Sequence, residues 1–350
     1  MGRVFSREEV PQGVLLRSPY PMRVSPHYGE IRRDWHQWFL STDRFPTAER
    51  QRQVMAADYP RLGAAAWPVC DRRRLWDITT IIALDIEGDD DFDANRPGFG
   101  DADRRRGLLS GLAAGFDSGF AERAAQAEPR WGPLFAHVWK SLSAYVPPPL
   151  LRRLAEDHLR YLEGCARVDD HLAAHGEFTD IDDYMAIRYY SLGQRMDHRY
   201  TEISLGIDLS DVIEEPPLKA VVDSDMRRTT LSQDVLSLYK DLGPGGDQTE
   251  NVVTLIARTR RCALPAALAT ASDMFAAEVR NFDRLTERLA RTSLGRRPDV
   301  TAFVHGLNDF CAGYMDWTTG SGRYTLRDTC PWWDTPDATA DPAQGRLPRG

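Results

Sequence analysis

Stretches in which apolar side chains recur at intervals of three and four residues fill most of this 350-residue chain. This spacing is typical of amphipathic helices. It runs through residues 28–40, 75–86, 104–124, 133–145, 150–174, 181–205, 218–242, 251–263, 266–291 and 300–317. Glycine and proline clusters separate the stretches, and alternating patterns that would predict strands are nearly absent. The sequence therefore predicts an all-α bundle of about ten helices, a fold that holds its ligand sites in the interior.

The placement of proline and glycine predicts the domain organisation. Residues 1–28 contain four prolines and predict an extended N-terminal arm, whereas residues 330–350 are rich in Pro, Asp and Gly and predict a flexible tail. Length alone would permit two domains. No Gly/Ser/Pro-rich linker divides the chain in between, so residues 29–329 are expected to form one helical domain.

Charge and cysteine content argue against several classes of function. The formal net charge of −8 disfavours a nucleic-acid partner, because a phosphate backbone requires a basic surface. The five cysteines are scattered without CxxC spacing, which predicts neither a zinc site nor a disulfide framework. Charged residues stand where a signal peptide needs an apolar run, and no stretch approaches the roughly 20 apolar residues of a membrane span. We therefore expect a cytoplasmic protein without stable membrane insertion.

A run of aspartates in one predicted helix is the first candidate site. Asp89, Asp90 and Asp93 stand together, and Asp85 lies one helical turn earlier. Carboxylates four residues apart share one helix face, where like charges repel each other. A divalent cation between them would relieve that repulsion, and hard carboxylate oxygens suit Mg²⁺. The alternative is a solvated acidic turn in front of the proline–glycine pair that follows.

The second candidate site is a set of oxygen-bearing side chains on a later helix. Gln233, Ser237 and Asp241 are spaced four residues apart and so share a face. Their amide, hydroxyl and carboxylate oxygens form a ligand set suited to a second cation. Lys240 lies beside them and can reach a diphosphate as a point charge. Taken alone, serine and glutamine on a helix face are more often surface residues.

Both candidate metal sites resemble motifs of the bacterial class I terpene synthases. The second site is similar to the family motif NDxxSxxKE, which stands here as Gln233-Asp234-x-x-Ser237-x-x-Lys240-Asp241. The family's GDxxN element follows here as Gly246-Asp247 with Asn251 just beyond. The aspartate run resembles the family's DDxxD motif, Phe92 included.

Two further segments resemble the parts of this family that contact the diphosphate. Arg188 lies 45 residues before Gln233 and ends a segment similar to the one that carries the pyrophosphate-sensor arginine. Trp317, followed by Arg323 and Tyr324, resembles the terminal W…RY element. All four segments occur in the family's order, and the resemblance extends over residues 19–327.

The resemblance implies a class I terpenoid synthase-like bundle with a central active-site cavity, and an enzyme that ionises an isoprenyl diphosphate. It implies three Mg²⁺ ions, bound with the substrate diphosphate and held by these residues: Asp89, Asp90, Asp93, Gln233, Ser237 and Asp241, with Asp85 as an alternative. Arg188, Lys240 and Arg323 would neutralise the leaving diphosphate. Tyr324 would donate a hydrogen bond to it.

Two residues of the second site depart from the family pattern. Gln233 replaces the usual asparagine and adds a methylene, which weakens the case for direct metal ligation at this position. Asp241 replaces the commoner glutamate, and its shorter side chain can compensate for the longer Gln233.

The resemblance further implies a dry, apolar pocket in which a carbocation cyclises. Bulk water would otherwise trap the cation. Aromatic faces stabilise positive charge, and Phe310, Tyr314 and Trp317 on the last predicted helix are candidates for the pocket wall. For each of these three residues, ordinary core packing is the alternative.

Small side chains before the aspartate run bear on substrate length. Family members often carry bulky aromatics in this stretch, where this chain has Thr79, Thr80, Ala83 and Gly88. We expect Thr80 and Ala83 to line a deeper cavity, which favours the C20 geranylgeranyl diphosphate and a diterpene product. The alternative is a sesquiterpene cyclase that acts on the C15 farnesyl diphosphate.

Other interpretations of the same residues stay open. An isoprenyl chain-elongating synthase would carry two aspartate-rich motifs, whereas the second motif here is Gln/Ser/Asp, which argues against elongation. A degenerate non-catalytic member, or a helical binding protein, would keep the fold without the chemistry, and Gln233 keeps the former open. A homodimer would be common for such a fold.

Overall fold

A computed structural model describes residues 4–11, 16–45, 47–94, 130–243 and 248–325, without the side chains of residues 91–94 and 325. Thirteen α-helices and two short 3-10 turns make up most of these residues, among which there is no strand. The all-α fold is therefore confirmed. The helices are α1 (Tyr28–Ser41), α2 (Ala48–Ala57), α3 (Tyr59–Ala66), α4 (Arg72–Ala94), α5 (Gly132–Ser143), α6 (Pro148–His175), α7 (Ile181–Ser191), α8 (Gln194–Leu205), α9 (Pro216–Asp241), α10 (Val252–Thr259), α11 (Leu264–Ala290), α12 (Pro298–Gly320) and α13 (Gly322–Thr325). The helix expected over residues 104–124 and the tail expected over 330–350 lie outside the described residues.

The helices pack around a long central pair. Helix α9 lies along α11 on one side and against α12 on another, and α12 also packs on α3. Gly313 of α12 makes this last contact very close, because a Cβ placed there would lie 2.2 Å from the backbone of Ala65. Apolar faces of α1, α3, α4 and α5 form one core cluster, and those of α9, α10 and α11 form most of a second. A layered helical bundle results, with α4 and α9 facing a common interior.

Local sequence signals explain where several helices begin. The carboxylate of Asp180 accepts hydrogen bonds from the backbone N–H groups of Asp182 and Asp183, at 2.8 and 3.0 Å, and so caps α7. The side chain of Asn251 caps α10 in the same way through the N–H of Val253. The first helix begins at Tyr28, as the sequence predicts.

One stretch predicted as continuous is two helices. The periodic residues 181–205 are divided after Ser191, and the chain turns at Gly193, whose φ of +82° is left-handed. Glycine adopts that conformation without steric cost. The apolar period continues across the break, so periodicity alone gave no sign of it. Helices α2 and α3 were also absent from the sequence-based prediction.

The N-terminal segment packs on the bundle. Phe5 and Val10 are buried in the second core cluster, and the guanidinium of Arg7 donates to the backbone oxygen of Tyr239 at 2.9 Å. This places the segment beside the end of α9. In the described part of the chain, none of the helices is long and apolar enough to cross a membrane, and none of the cysteines forms a disulfide.

Candidate active site

A cavity that is partly open to solvent lies between α4, α6, α7, α8, α9, α12 and α13. Its polar wall consists of Asp85, Asp89, Tyr161, Arg188, Ser191, Asp197, Gln233, Tyr314, Arg323 and Tyr324. Its remaining wall consists of Ile82, Ile86, Leu192, Gly193 and Met196. Five stretches that lie far apart in the chain therefore contribute side chains to one cavity.

The aspartate-rich motif divides its side chains between the cavity and an ion-pair network. Asp89 lines the cavity and accepts a hydrogen bond from the hydroxyl of Tyr161. Asp90 instead accepts from both terminal nitrogens of Arg323, one of them at 2.7 Å, and from Arg50 at 3.3 Å. Burial alone would raise the pKa of Asp90, but attraction to the surrounding cations outweighs it and lowers that pKa to about 2. The side chains of Phe92 and Asp93 lie outside the described residues.

Asp85 is held against the inner wall. His158 contacts one of its oxygens through Nε2 at 3.1 Å, and the hydroxyl of Tyr200 donates to the other at 2.6 Å. The Nδ1 of His158 lies 2.9 Å from the backbone oxygen of Leu154, which fixes the ring orientation. Both oxygens of Asp85 are thus engaged by protein groups, one helical turn away from Asp89.

The second motif forms a connected set of oxygen donors. The hydroxyl of Ser237 donates to Asp241 at 2.6 Å, and the amide of Asn251 donates to the same carboxylate oxygen at 2.9 Å. Gln233 lies two turns earlier on the cavity wall, where its Oε1 accepts a hydrogen bond from Tyr314. Gly246 and Asp247 lie outside the described residues.

The donor types of both motifs fit a hard divalent cation. Carboxylate, amide and hydroxyl oxygens are ligands that Mg²⁺ takes in proteins, together with water and phosphate oxygens. The 2.6 Å contact between Ser237 and Asp241 places two of these oxygens side by side. Within the described ranges no three His, Cys, Asp or Glu side chains form a metal site by themselves.

Arg188 of α7 also lines the cavity. It forms an ion pair with an acidic residue to which the sequence analysis assigned no role. Its guanidinium lies 3.5 Å from Asp234 and 3.9 Å from Glu250. Asp234 is fully buried and also accepts from the hydroxyl of Tyr184 and the N–H of Val252. Burial raises the pKa of Asp234 to about 6, although Arg188 opposes the shift. The only sequence signal for Asp234 was its place inside the second motif.

Arg323 belongs to a chain of ion pairs that crosses between helices. Asp90 links Arg323 to Arg50 of α2, and Arg50 also binds Glu87 at 2.7 Å. Glu87 is buried and accepts a hydrogen bond from Tyr59. Sequence reasoning missed Arg50, because the periodic pattern did not predict α2 and an isolated arginine carries no motif.

The guanidinium Nε atoms of Arg188 and Arg323 are buried without a hydrogen-bond partner among the described residues. A buried N–H without an acceptor is costly, so these two cations are suited to an anion that enters the cavity. Lys240 lies close by, with its ammonium 3.5 Å from Asp241. Tyr324 lines the cavity, and its hydroxyl lies 3.5 Å from the amide nitrogen of Gln233.

The three aromatic candidates of α12 occupy different positions. Tyr314 lines the cavity, and Phe310 stacks on it with ring centroids 5.4 Å apart. Trp317 is buried behind the wall, where its indole N–H donates to the backbone oxygen of Ala57 at 2.6 Å. Its ring meets that of Tyr324 edge to face at 5.6 Å. Phe310 and Trp317 thus support the wall from behind.

Thr80 and Ala83, expected in the pocket, are not among the described residues that line this cavity. The hydroxyl of Thr80 accepts from the indole of Trp35 at 3.1 Å and donates to the backbone oxygen of Trp76 at 2.8 Å. Ala83 is fully buried in the first core cluster. On α4 the apolar wall is formed instead by Ile82 and Ile86.

Comparison with known proteins agrees with this geometry. The family described as "Terpene synthase family 2, C-terminal metal binding" matches residues 114–281. "Sesquiterpene synthase 6" of Postia placenta is 22% identical over 306 residues, 87% of each chain. "Pristinol synthase" of Streptomyces pristinaespiralis is 25% identical over 320 residues, 88% of this chain and 84% of that one.

A solved structure supports the fold. The crystal structure of α-eudesmol synthase superposes with a TM-score of 0.73 at 22% identity, covering 87% of this chain and 99% of that one. The family match, the relatives and the fold all indicate a terpene synthase-like protein. The arginines and the two oxygen-rich motifs of the cavity agree with that result. In sequence and in fold, the chain is therefore similar to the bacterial class I terpene synthases.

Proposed function

We propose that this terpene synthase uses Mg²⁺ to ionise an isoprenyl diphosphate and cyclises the resulting carbocation. One observation carries the proposal: Arg188 and Arg323, each with an unpartnered Nε, share a cavity with Asp89 and Gln233 of the two metal motifs. The arginines suit the diphosphate anion. The oxygen-rich motifs suit the Mg²⁺ ions that accompany an isoprenyl diphosphate. The apolar wall beyond them suits the hydrocarbon chain.

The chain's own residues have separate tasks in this reaction. Arg188 and Arg323 bind the diphosphate and stabilise the charge that develops as the allylic C–O bond breaks, with Lys240 adding a third cation. Tyr324 donates a hydrogen bond to the same group. The oxygens that would hold Mg²⁺ are those of Asp89, Asp90, Asp93, Gln233, Ser237 and Asp241. Magnesium, when bound, supplies Lewis-acid stabilisation of the leaving diphosphate.

The substrate we favour is farnesyl diphosphate, a C15 chain. The expectation of geranylgeranyl diphosphate rested on Thr80, Ala83 and their small neighbours, whereas the α4 side chains that line the cavity include the larger Ile82 and Ile86. The Postia placenta relative is named a sesquiterpene synthase, which supports the same choice. Geranylgeranyl diphosphate and a diterpene product are the alternative that the assay must resolve.

The decisive experiment incubates the purified chain with Mg²⁺ and, separately, geranyl, farnesyl and geranylgeranyl diphosphate. Released diphosphate and the organic extract are measured, the latter by gas chromatography–mass spectrometry. We expect a cyclic C15 product that disappears when EDTA removes the metal. A cyclic C20 product would keep the mechanism and restore the longer substrate. No release of diphosphate from any of the three would refute the proposed function.

Variants of the motif residues supply the controls. Asp89→Asn and Asp241→Asn should each reduce diphosphate release by at least about 100-fold, because each removes a charged oxygen ligand. Asp170→Asn neutralises an exposed carboxylate on α6 and should leave the rate unchanged. Equal activity in all three variants would contradict the roles assigned to the motifs.

We further propose that the enzyme works in the cytoplasm and forms a homodimer. The first point is supported by the absence of disulfides among the described cysteines, of which Cys70 and Cys311 are buried thiols. The second awaits a measurement of molar mass in solution by light scattering, where a monomeric mass would overturn it.

A further inference from the structure

One carboxyl group on the cavity wall has no role in binding the diphosphate. Asp197 belongs to α8 and lines the cavity together with Met196 and Gly193. Asp85 and Asp89 on the same wall accept hydrogen bonds from protein side chains. The side chain of Asp197, in contrast, has no hydrogen bond or ion pair with any other described residue. Because this partly buried carboxyl lines the cavity without a protein partner, a polar molecule that enters the cavity can hydrogen-bond to it.

The charged groups that act on Asp197 are the carboxylates of Asp85 and Asp225 rather than the arginines of the cavity. Burial raises the pKa of its carboxyl, and the nearby carboxylates of Asp85 and Asp225 raise it further. The arginines that suit the diphosphate are Arg188 and Arg323. The raised pKa favours the neutral carboxyl, which can both donate and accept a hydrogen bond.

A second unsatisfied polar group lies on the same wall. The hydroxyl of Ser191 is buried and has no hydrogen-bond partner among the described residues. Ser191 ends α7 and Asp197 lies in the first turns of α8, so both flank the corner at Gly193. A bound water needs two to four polar partners and room for one molecule. Asp197 supplies a donor and an acceptor on the cavity wall, and the cavity supplies the room.

We infer that Asp197 holds a water molecule inside the cavity and that this water captures the final carbocation, so that the main product is a terpene alcohol. The inference rests on the proposed function, which supplies the cation. A lone pair of the water oxygen forms the new C–O bond with the cationic carbon. The resulting oxonium loses one proton to the diphosphate released in the first step. Asp197 keeps its own proton throughout, and the net reaction is isoprenyl diphosphate plus water to terpene alcohol plus diphosphate.

The test runs the full-length enzyme with Mg²⁺ and its accepted isoprenyl diphosphate in H₂¹⁸O. We expect an alcohol as the main product, carrying one ¹⁸O atom. A contaminating phosphatase would give the linear alcohol with the substrate's own oxygen, so the label separates the two sources. Diphosphate release with only hydrocarbon, or with unlabelled alcohol, would overturn the inference and leave the proposed function standing. Absence of diphosphate release would refute both.

Three variants identify the role of Asp197. Asn keeps a donor and an acceptor in nearly the same shape, so Asp197→Asn should retain the alcohol. Leu cannot hold water, so Asp197→Leu should lower the ratio of alcohol to hydrocarbon by about 10-fold, corresponding to the loss of one buried hydrogen bond. Asp197→Ala serves if the leucine variant does not fold. The exposed Asp170→Asn is the matched control and should keep the parent ratio.

The variants also separate water binding from proton transfer. If Asp197→Asn loses the alcohol as completely as Asp197→Leu, the carboxyl acts as a base and the inference is wrong. If Asp197→Leu and Asp197→Ala keep the parent ratio, Asp197 does not hold the water.

Discussion

Replacing Asn251 tests whether the second motif is positioned from outside its own helix. Asn251 is fully buried and makes three hydrogen bonds. Its oxygen accepts from the N–H of Val253, and its amide donates to the backbone oxygen of Asp234 at 2.6 Å and to Asp241 at 2.9 Å. The side chain therefore both caps α10 and fixes a proposed metal ligand.

The hydrogen bonds of Asn251 give the expected loss of stability in each variant. Asn251→Ala removes an N-cap, at a cost of about 1 kcal/mol, and removes two hydrogen bonds donated by the amide, at about 0.5–1.5 kcal/mol each. Asp241 keeps its hydrogen bond from Ser237, so we expect a total loss of about 3 kcal/mol. Asn251→Ser retains a capping oxygen but lacks the amide donors, so it should cost roughly 1 kcal/mol less than alanine.

The readout that matters is the magnesium dependence. Loss of a side chain that orients a metal ligand typically lowers metal affinity by about 10- to 100-fold. Diphosphate release is titrated with Mg²⁺, and the free energy of unfolding is measured by chemical denaturation. Both Asn251 variants should require more Mg²⁺ for half-maximal rate. Thr292→Ala removes a hydroxyl that accepts from the N–H of Gly295 and donates to the backbone oxygen of Leu289, contacts neither motif, and should lose stability only. If Asn251→Ser keeps the parent Mg²⁺ dependence, the positioning role is refuted.

Three further outcomes are expected. Arg50→Ala leaves the buried Glu87 without its counter-ion and should lower the free energy of unfolding by about 3 kcal/mol; Arg50→Lys should recover part of that loss, and equal stability of parent and alanine variant would contradict the ion-pair assignment. Burial raises the pKa of Glu202 to about 7 against the opposing Arg153, so its contribution to stability is present below about pH 4.5 and lost as the pH rises through 7. Denaturation between pH 4.5 and 8 should show that decline in the parent and a flatter profile in Glu202→Gln. Gly164→Ala should destabilise by about 1–3 kcal/mol, because a Cβ there would lie 2.6 Å from the backbone of α7; Gly88→Ala, with no atom within 4 Å of its added Cβ, should not destabilise when both are compared by denaturation.

The sequence by itself predicted the all-α fold class, and it named candidate site residues of which several line one cavity in the structure. Helical periodicity depends only on local spacing, and it predicted most of the long helices from α4 onwards. Motif spacing likewise identified Asp89 and Gln233, because residues four apart on one helix share a face wherever that helix packs, whereas Arg188 was named only through the family resemblance. These features survive in any arrangement of the helices, so no tertiary information was needed to find them. The resemblance to terpene synthases drew on the same local patterns.

Tertiary structure alone decided which side chains reach the cavity. On a helix, adjacent residues point about 100° apart, so a small rotation of α4 exchanges Thr80 and Ala83 for Ile82 and Ile86. Periodicity marks all of them as buried, but only the packing of α4 against α1 and α8 shows which of them line the cavity.

Contacts between distant segments could not be predicted from the sequence either. Tyr200 lies 115 residues from Asp85, its hydrogen-bond partner, and Arg50 comes from a helix that periodicity did not predict. The corner at Gly193, which brings Ser191 and Asp197 to one wall, interrupts a pattern that looks continuous. Each of these features depends on where helices cross, and helix crossing is set by the sum of many side-chain contacts across the bundle. A local pattern fixes the face that a residue occupies, whereas only the assembled bundle fixes the group that it meets.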